Sequence, residues 1–404
     1  MSIESLDILD WTFIGLLGAL FFAQFYFYTR YMCAPARQLM KNKVRPDDSA
    51  EDREKILPGV SVILCAHNEA FNLSQYLQAL LTQDYPEYEV IVVDDGSEDE
   101  TRAIIERYMV QDPRLHMTFV PYGARVGSTK KLALTLAAKA AKYDFLLLTD
   151  ADCVPRSNHW IAEMMKGFEE TQGSNVQNTK DIVLGFSPYF EENGHINRLV
   201  RYDTLFNGLH FLGAALCGHP YMGVGRNLAY RKSLFFESGG FTHLMNNVAG
   251  DDDLFVNHLA TKRNTAVVLS PTSYTWSISK KTMKEWWQQK RRHLSVSPAY
   301  RAGTKIRLAL EPMTRGLFYA LAILVMVLYC PVSLDELMAV PPLPFLVAVG
   351  LFLIRWIIQT LVLNVSARRM GLARFNMFSI LWFDIVLPLV SAWMLTIPKR
   401  KIKW

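Results

Sequence analysis

Apolar and polar positions divide the chain into three stretches. An apolar block runs from about Trp11 to Tyr28. Its length suits one bilayer crossing, which needs about 20 residues. Acidic Glu4, Asp7 and Asp10 precede it, and basic Arg30, Arg37, Lys41, Lys43 and Arg45 follow it. A cleaved signal peptide has the opposite charge order, and no short cleavage motif closes this block. Positive residues mark the cytoplasmic flank of a span, so the chain beyond is expected in the cytoplasm. The polar stretch Asn42 to Lys55 reads as a linker.

From about Val60 to Ser277 the periodicity alternates. Short β-branched runs at Val60–Ala66, Val90–Val93, Phe145–Thr149 and Ile182–Phe186 predict strands. Helical patterns separate them at Ala70–Gln83, Glu100–Gln111, Lys130–Lys142 and Trp160–Glu170. Such alternation implies an α/β domain with a mostly parallel sheet. Sheets of that kind bind ligands at the carboxyl ends of their strands.

Beyond about Lys305 the chain turns apolar again, with expected spans at Leu317–Leu334, Phe345–Val365 and Phe378–Ile397. Asp335 and Glu336 fit an outside loop, and Arg368, Arg369 and Arg374 an inside one. The basic ending Lys399, Arg400, Lys401 and Lys403 breaks that alternation if all blocks cross. Arg355, Asp384 and Pro388 lie inside the last two blocks and speak against simple spans. The expected division is an N-terminal transmembrane helix over 1–31, a linker over 32–58, a cytoplasmic domain over 59–300, and an interfacial segment with transmembrane helices over 301–404.

Composition refines this only slightly. Hydrophobic residues make up 50% of the chain and charged ones 20%, below the usual quarter or so. The excess is concentrated in the apolar blocks, so it reflects spans rather than a larger core. The net charge of +5 fits a basic membrane collar. No basic run interleaved with aromatics supports nucleic-acid binding. The 5 cysteines are scattered, without Cys-x-x-Cys spacing, which disfavours disulfides and zinc and fits a reducing compartment.

Four clusters carry candidate chemistry. Val90–Val93 runs into Asp94, Asp95, Gly96 and Ser97. Carboxylates there can hydrogen-bond a nucleobase or ribose, or the segment can be a turn with helix-capping residues. Phe145–Leu148 runs into Thr149, Asp150, Ala151 and Asp152. Two aspartates one residue apart can face one centre, and Mg²⁺ binds through one or two carboxylates plus substrate phosphates. Gly250, Asp251, Asp252 and Asp253 open an apolar helical pattern. The helix dipole favours acids there by about 1 kcal/mol at most, whereas a carboxylate can also act as general base. Glu285 to His293 brings Trp286, Trp287, Gln289, Lys290, Arg291 and Arg292 together. That set can hold a diphosphate or form an interfacial aromatic belt.

The order of these motifs resembles the inverting family 2 glycosyltransferases. The segment from Val60 to Ala66, His67, Asn68 and Glu69 is similar to the family's opening strand. Asp94-Asp95 resembles its nucleotide-binding acidic pair, and Asp150-Ala151-Asp152 its metal-binding Asp-x-Asp. Gly223 to Asn227, followed by Ala229-Tyr230-Arg231, is similar to its acceptor-side loop. Gly250-Asp251-Asp252 is similar to its base motif, and Gln289-x-x-Arg292 to its Gln-x-x-Arg-Trp.

The resemblance implies a GT-A fold, Mg²⁺ or Mn²⁺, and a cytoplasmic nucleotide sugar, preferably a UDP-sugar. It implies Asp152 as metal ligand and Asp150 on ribose or the metal. It places Ala66, Asn68, Glu69, Asp94, Asp95, Lys130, Asp150, Gln289, Arg291 and Arg292 around the nucleotide sugar, with Arg292 and Arg291 on the diphosphate. The base is Asp252 when aligned on Gly-Asp-Asp and Asp251 when aligned on Asp-x-Asp-Leu; Asp252 is favoured. His293 stands where the family has Trp, which weakens the case for a processive synthase. The expected function is single-sugar transfer to a lipid-linked hydroxyl at the inner cell membrane, with glycolipid or polysaccharide biosynthesis as the setting. A processive synthase, a catalytically silent nucleotide-sugar-binding subunit and a nucleotidyltransferase are the competing readings.

Overall fold

The computed structural model describes residues 6–44, 57–121, 127–172, 175–178, 180–245, 249–331 and 341–397. Helix α1 (Ile8–Phe27) is followed by one turn of π-helix (Tyr28–Met32) and helix α2 (Ala34–Val44). Asp7 starts α1 by accepting the Asp10 N–H, while the Asp10 carboxylate accepts the Asp7 N–H. This reciprocal cap satisfies two of the donors a helix start leaves open. The first expected span therefore begins earlier than Trp11. The expected linker begins as helix, and its remainder, 45–56, lies outside the described residues.

The central domain runs β1 (Val60–Ala66), α3 (Ala70–Leu81), β2 (Tyr88–Asp94), α4 (Thr101–Gln111), β3 (Leu115–Phe119), α5 (Thr129–Ala140), β4 (Phe145–Leu148) and β5 (Cys153–Pro155). It continues with α6 (Trp160–Lys166), β6 (Glu169–Gln172), β7 (Asn175–Asn178), β8 (Ile182–Leu184), α7 (His195–Leu216), β9 (Leu228–Arg231) and α8 (Lys232–Glu237). Then come α9 (Asp253–Leu259), β10 (Thr265–Val267), β11 (Thr275–Ser277) and α10 (Met283–Leu294). Seven strands form one sheet in the order β10-β8-β9-β4-β1-β2-β3. Only β9 runs antiparallel to its neighbours. The sheet is thus mostly parallel, as its near-continuous apolar strands require: every residue of β2 is buried, which only helices on both faces can achieve.

Two apolar layers cover the faces. One packs Leu73, Leu77, Ile105, Trp160 and Met164 from α3, α4 and α6. The other joins α5 and α7 and continues into Met370, Phe375 and Ile380 beside the C-terminal helices.

Those helices are α11 (Ala302–Leu328), α12 (Leu343–Arg369) and α13 (Met377–Thr396). Four helical stretches, Ile8–Lys41 and these three, are long and apolar enough to cross a membrane. The first C-terminal span is displaced from its expected place. It starts at Ala302 and stops at Leu328, because Pro331 biases the chain before it away from helix. Pro388 stays inside α13, as membrane helices allow. The acidic loop Asp335–Glu336 and the tail from Lys399 to Lys403 lie outside the described residues.

The intramembrane charges are paired. The Asp384 carboxylate receives Arg315 at 2.7 Å, Arg355 at 3.0 Å and the Tyr319 hydroxyl at 2.6 Å. Arg315 also reaches Glu311 at 3.0 Å, and Arg355 donates to Gln24 and to the Tyr28 hydroxyl. Two cations thus meet two anions, and one network ties α1, α11, α12 and α13. Gln359 extends it to Tyr202 of α7. Arg355 and Asp384, which spoke against simple spans, are therefore the bundle's own counter-charges. Nearby, Gly213 of α7 lies so close to the π turn that a Cβ there would fall 2.1 Å from the Tyr31 carbonyl oxygen.

Candidate active site

The parallel strands β1, β2 and β4 end at one rim, and antiparallel β9 begins there, since Leu148 pairs with Leu228. Each strand end carries polar residues. After β1, Asn68 takes φ +56°, a left-handed conformation that Asn tolerates better than most residues. Its side-chain oxygen accepts the Glu98 N–H at 2.8 Å, and its own N–H donates to Ser97 Oγ at 3.0 Å. His67 Nδ1 lies 2.7 Å from the Asp95 carbonyl, and the Asp95 N–H donates to the Ala66 carbonyl at 2.8 Å. The loops after β1 and β2 are thereby fixed together. Asp94 spends an oxygen on the Ser97 N–H at 3.0 Å, the capping role that competed with nucleotide contact. Asp95 is half-buried and makes no side-chain hydrogen bond among the described residues.

The decisive contact is made by Lys130, near the start of α5. Its Nζ lies 3.1 Å from Asp150 Oδ1 and 3.2 Å from Asp251 Oδ2. One ammonium therefore joins the end of β4 to the acidic turn before α9. Burial opposes its charge, but Asp150, Asp251 and Asp252 hold its pKa well above the ordinary value. Burial pushes Asp150 upward; Lys130, with Arg226 and Arg292, more than offsets that and leaves the carboxyl below its usual range. The Cys65 thiol on β1 feels Lys130, Asp150, Asp251 and Asp95 together. Asp95 thus lies within electrostatic reach of the same thiol.

The three consecutive aspartates have different surroundings. Asp251 pairs with Lys130. Asp252 accepts the Gly225 N–H at 2.7 Å and the Asp253 N–H at 2.8 Å. Burial and the neighbouring Asp251 raise its pKa, against the opposing pull of Lys130 and the two N–H donors. Asp253 faces the core and accepts the Tyr300 hydroxyl at 2.9 Å. Gly250 creates the turn at φ +91°, where a Cβ would lie 2.5 Å from Leu254.

Burial raises the Glu69 pKa; a hydrogen bond from Asn72 opposes the rise, and the nearby Asp152 and Asp150 add to it. Gln289 reaches the site through Tyr189, donating to its hydroxyl at 3.2 Å. Arg292 contributes charge at Asp150. Arg291 and Arg292 are both half-buried in the last turn of α10.

Two further residues had no role assigned from sequence. Arg226 lays its guanidinium over the Tyr189 ring, 4.5 Å from the centroid, and donates to Ser277 Oγ. Lys131, fully buried, donates to the Leu244 and Ala249 carbonyls at 2.8 Å each. It anchors the chain on both sides of 246–248, just before the acidic turn. The Lys130-Lys131 pair at a helix start was its only sequence signal, since cations oppose the dipole there.

Among the described residues no group of three or more His, Cys, Asp and Glu side chains could hold a metal ion. The site offers Asp150 and Asp152. That donor set fits a hard cation of the Mg²⁺ or Mn²⁺ kind, which binds through one or two carboxylates and completes its shell with water and phosphate.

Residues 61–236, covering the rim from β1 past β9, match the profile of Glycosyl transferase family 2. Residues 61–236 thus form a Glycosyl transferase family 2 domain. Among its relatives is the Probable glycosyltransferase YdaM of Bacillus subtilis, 26% identical over 242 residues, 59% of this chain and 55% of that one. Poly-beta-1,6-N-acetyl-D-glucosamine synthase of Staphylococcus aureus is 22% identical over 252 residues, 61% of this chain and 55% of the relative. The chain spans about half the length of these curated relatives. The mannosyltransferase PcManGT of Pyrobaculum calidifontis, solved with GDP-Man and Mn2+, superposes with a TM-score of 0.55 at 20% identity, over 90% of this chain and 99% of that one. At that identity the likeness concerns the fold, and the glycosyltransferase domain is GT-A.

Proposed function

We propose that the chain is a membrane-bound inverting glycosyltransferase that moves one sugar from a nucleotide sugar, a UDP-sugar by preference, to a hydroxyl of a lipid-linked acceptor. The observation that carries this reading is the Lys130 bridge between Asp150 and Asp251, which draws separate acidic strand and helix ends into one centre. The domain division near residues 31, 58 and 300 and a cytoplasmic rim belong to the same proposal. Arg30, Arg37 and Lys41 after α1 support that orientation by the positive-inside rule.

In this mechanism Asp252 takes the proton from the acceptor hydroxyl. The freed oxygen attacks the anomeric carbon in line as the nucleoside diphosphate departs, and the configuration inverts. The raised pKa of Asp252 suits a base, and its two backbone N–H contacts hold it in place. Asp94, Asp95, Ala66, Asn68 and Glu69 shape the nucleoside side of the rim. Arg226, Arg291 and Arg292 supply positive charge where the diphosphate becomes more negative. Asp152 and Asp150 would hold Mg²⁺ or Mn²⁺, which neutralises phosphate charge when bound. The neighbouring mannosyltransferase was solved with Mn2+, which supports this choice.

Membranes carrying the protein, incubated with radiolabelled UDP- and GDP-sugars, should pass label from one donor into the organic extract and release nucleoside diphosphate. EDTA should abolish transfer, and Mn²⁺ or Mg²⁺ should restore it. Pyrophosphate release would indicate a nucleotidyltransferase instead. The named activity of the poly-N-acetylglucosamine synthases favours a second reading, processive synthesis; a ladder of long products on a gel would establish it.

Lys130→Met should weaken binding of UDP with Mn²⁺ by about tenfold. Asp150 and Asp251 would lose a charge-assisted partner each, and Asp150 would titrate higher. Isothermal titration of the purified protein checks this.

A further inference from the structure

A cavity of ≈ 300 Å³ lies beside the acidic rim, between the glycosyltransferase domain and the turn joining α12 to α13. One wall is aromatic: Phe190 and Trp276 stack with centroids 5.6 Å apart at 30°. The Arg156 guanidinium lies 5.5 Å from the Trp276 centroid and 5.8 Å from that of Phe190. The opposite wall is α7, where Arg201 pairs with Glu191 at 2.9 Å.

This wall is built from the active site's own elements. Trp276 on β11 pairs with Val154 on β5, the strand that starts directly after Asp152 and ends before Arg156. The Phe190 N–H donates to the Ser277 carbonyl at 3.0 Å, and Ser277 Oγ accepts Arg226. Tyr189 lines the cavity and carries Arg226 over its ring. The cavity wall is therefore joined to Asp152 and Arg226 through one strand pair.

Its chemistry selects a ligand. Stacked aromatic rings offer a flat apolar surface with a weakly negative face. Around it stand a guanidinium, a carboxylate and the Thr204 hydroxyl. Arg201 is already neutralised by Glu191, so cations do not converge as a phosphate site requires. A pyranose has an apolar C–H face and a rim of hydroxyls that both donate and accept. The volume is at the low end for small-ligand pockets, with room for about one or two sugar rings.

We propose that this cavity holds a pyranose ring of the acceptor, stacked on Phe190 and Trp276 and clamped by Arg156. The acceptor is thus a saccharide rather than a bare lipid phosphate. Calling it the acceptor rests on the glycosyltransfer reading; the sugar site itself does not. Gly371 to Phe375, at the foot of the membrane helices, closes the cavity, so a sugar carried on a lipid could reach it.

The test uses the full chain in nanodiscs and a panel of methyl and dodecyl β-pyranosides, followed by saturation-transfer NMR. Octyl phosphate is the anionic control, and UDP or GDP with Mn²⁺ the donor-site control. Wild type should bind at least one pyranoside. Trp276→Ala should weaken it at least tenfold and Arg156→Ala at least threefold, with nucleotide binding unchanged. Trp276→Tyr should restore most of the affinity. Arg156 is exposed, so its variant keeps the test open if the tryptophan variant fails to fold. Tighter binding of the dodecyl glycosides marks a lipid-borne sugar, and equal binding a free one; both support a pyranose site. Pyranosides that bind no protein, or bind all variants equally, overturn the proposal, as does Arg156-dependent binding of octyl phosphate alone. Pyranoside binding without any nucleotide binding would remove the glycosyltransfer reading and leave the sugar site. Nucleotide binding without pyranoside binding would do the reverse.

Discussion

Asp252→Asn lowers kcat by about 10²–10⁴-fold, the usual contribution of a positioned general base. The amide keeps the size of the side chain but only one oxygen, so it can accept from the Gly225 or the Asp253 N–H and not from both; an unchanged Tm checks that the turn holds with one of the two contacts. Donor affinity should stay within about twofold, because an interaction made only with the reacting hydroxyl is lost. The pH profile gives an independent reading. A base works only when ionised, so activity falls as pH drops through its pKa. Burial and Asp251 raise that pKa above the ordinary 3.8, so the acid limb of kcat/KM lies above the ordinary aspartate range. Asp251→Asn removes one of the two causes and leaves Lys130 less neutralised. The limb should then move to lower pH while Asp252 keeps working. Loss of turnover in Asp251→Asn, with Asp252→Asn active, would transfer the role to Asp251. Steady-state rates of nucleoside diphosphate release from pH 5 to 9 decide between them.

Asp384→Ala destabilises the protein by about 3–5 kcal/mol, the cost of leaving buried charges without their partner. Arg315 and Arg355 both direct guanidinium N–H groups at this carboxylate. Without it, Glu311 alone faces two cations in the apolar bundle, where water cannot compensate. The loss should reach the glycosyltransferase domain, because Gln359 touches Tyr202 of α7 and Arg315 packs over Phe206, 5.0 Å from its centroid. Thermal unfolding in detergent should show a large drop in Tm for Asp384→Ala. Asp384→Asn, which can still accept from Tyr319, should show a smaller one. An unchanged Tm in both variants would mean that the network contributes no stability.

How far the sequence revealed this arrangement depends on the range of the interactions. Strands β2 and β4 were legible because buried parallel strands need unbroken apolar runs, and the acids at their ends followed. The GT-A fold came from motif order. Strand β9 was missed: Leu228 to Arg231 is a short run whose place between β8 and β4 is set by partners distant in sequence. Helix α7 was missed because it is apolar on more than one side, buried against both the sheet and the membrane helices. The Arg355 and Asp384 charges misled because a counter-charge on another helix has no local signature. At the site, Asp150, Asp152 and Asp252 were legible from motif spacing. The Lys130 bridge and the Lys131 anchor needed the fold, since each links residues more than a hundred positions apart. The capping role of Asp94 could be foreseen only as one of two uses for the same carboxylate.

The central claim is that acids from β2, β4 and the turn before α9 converge on one nucleotide-sugar site. A cryo-EM map of the full chain in nanodiscs, with Mn²⁺ and the nucleoside diphosphate of the active donor, tests it most directly. The account predicts the nucleoside against Asp95, the diphosphate between Asp152 and Arg292, and Asp252 facing the vacant side of the leaving group. Nucleotide density away from this rim, with Asp95, Asp152 and Asp252 pointing into separate regions, would contradict it.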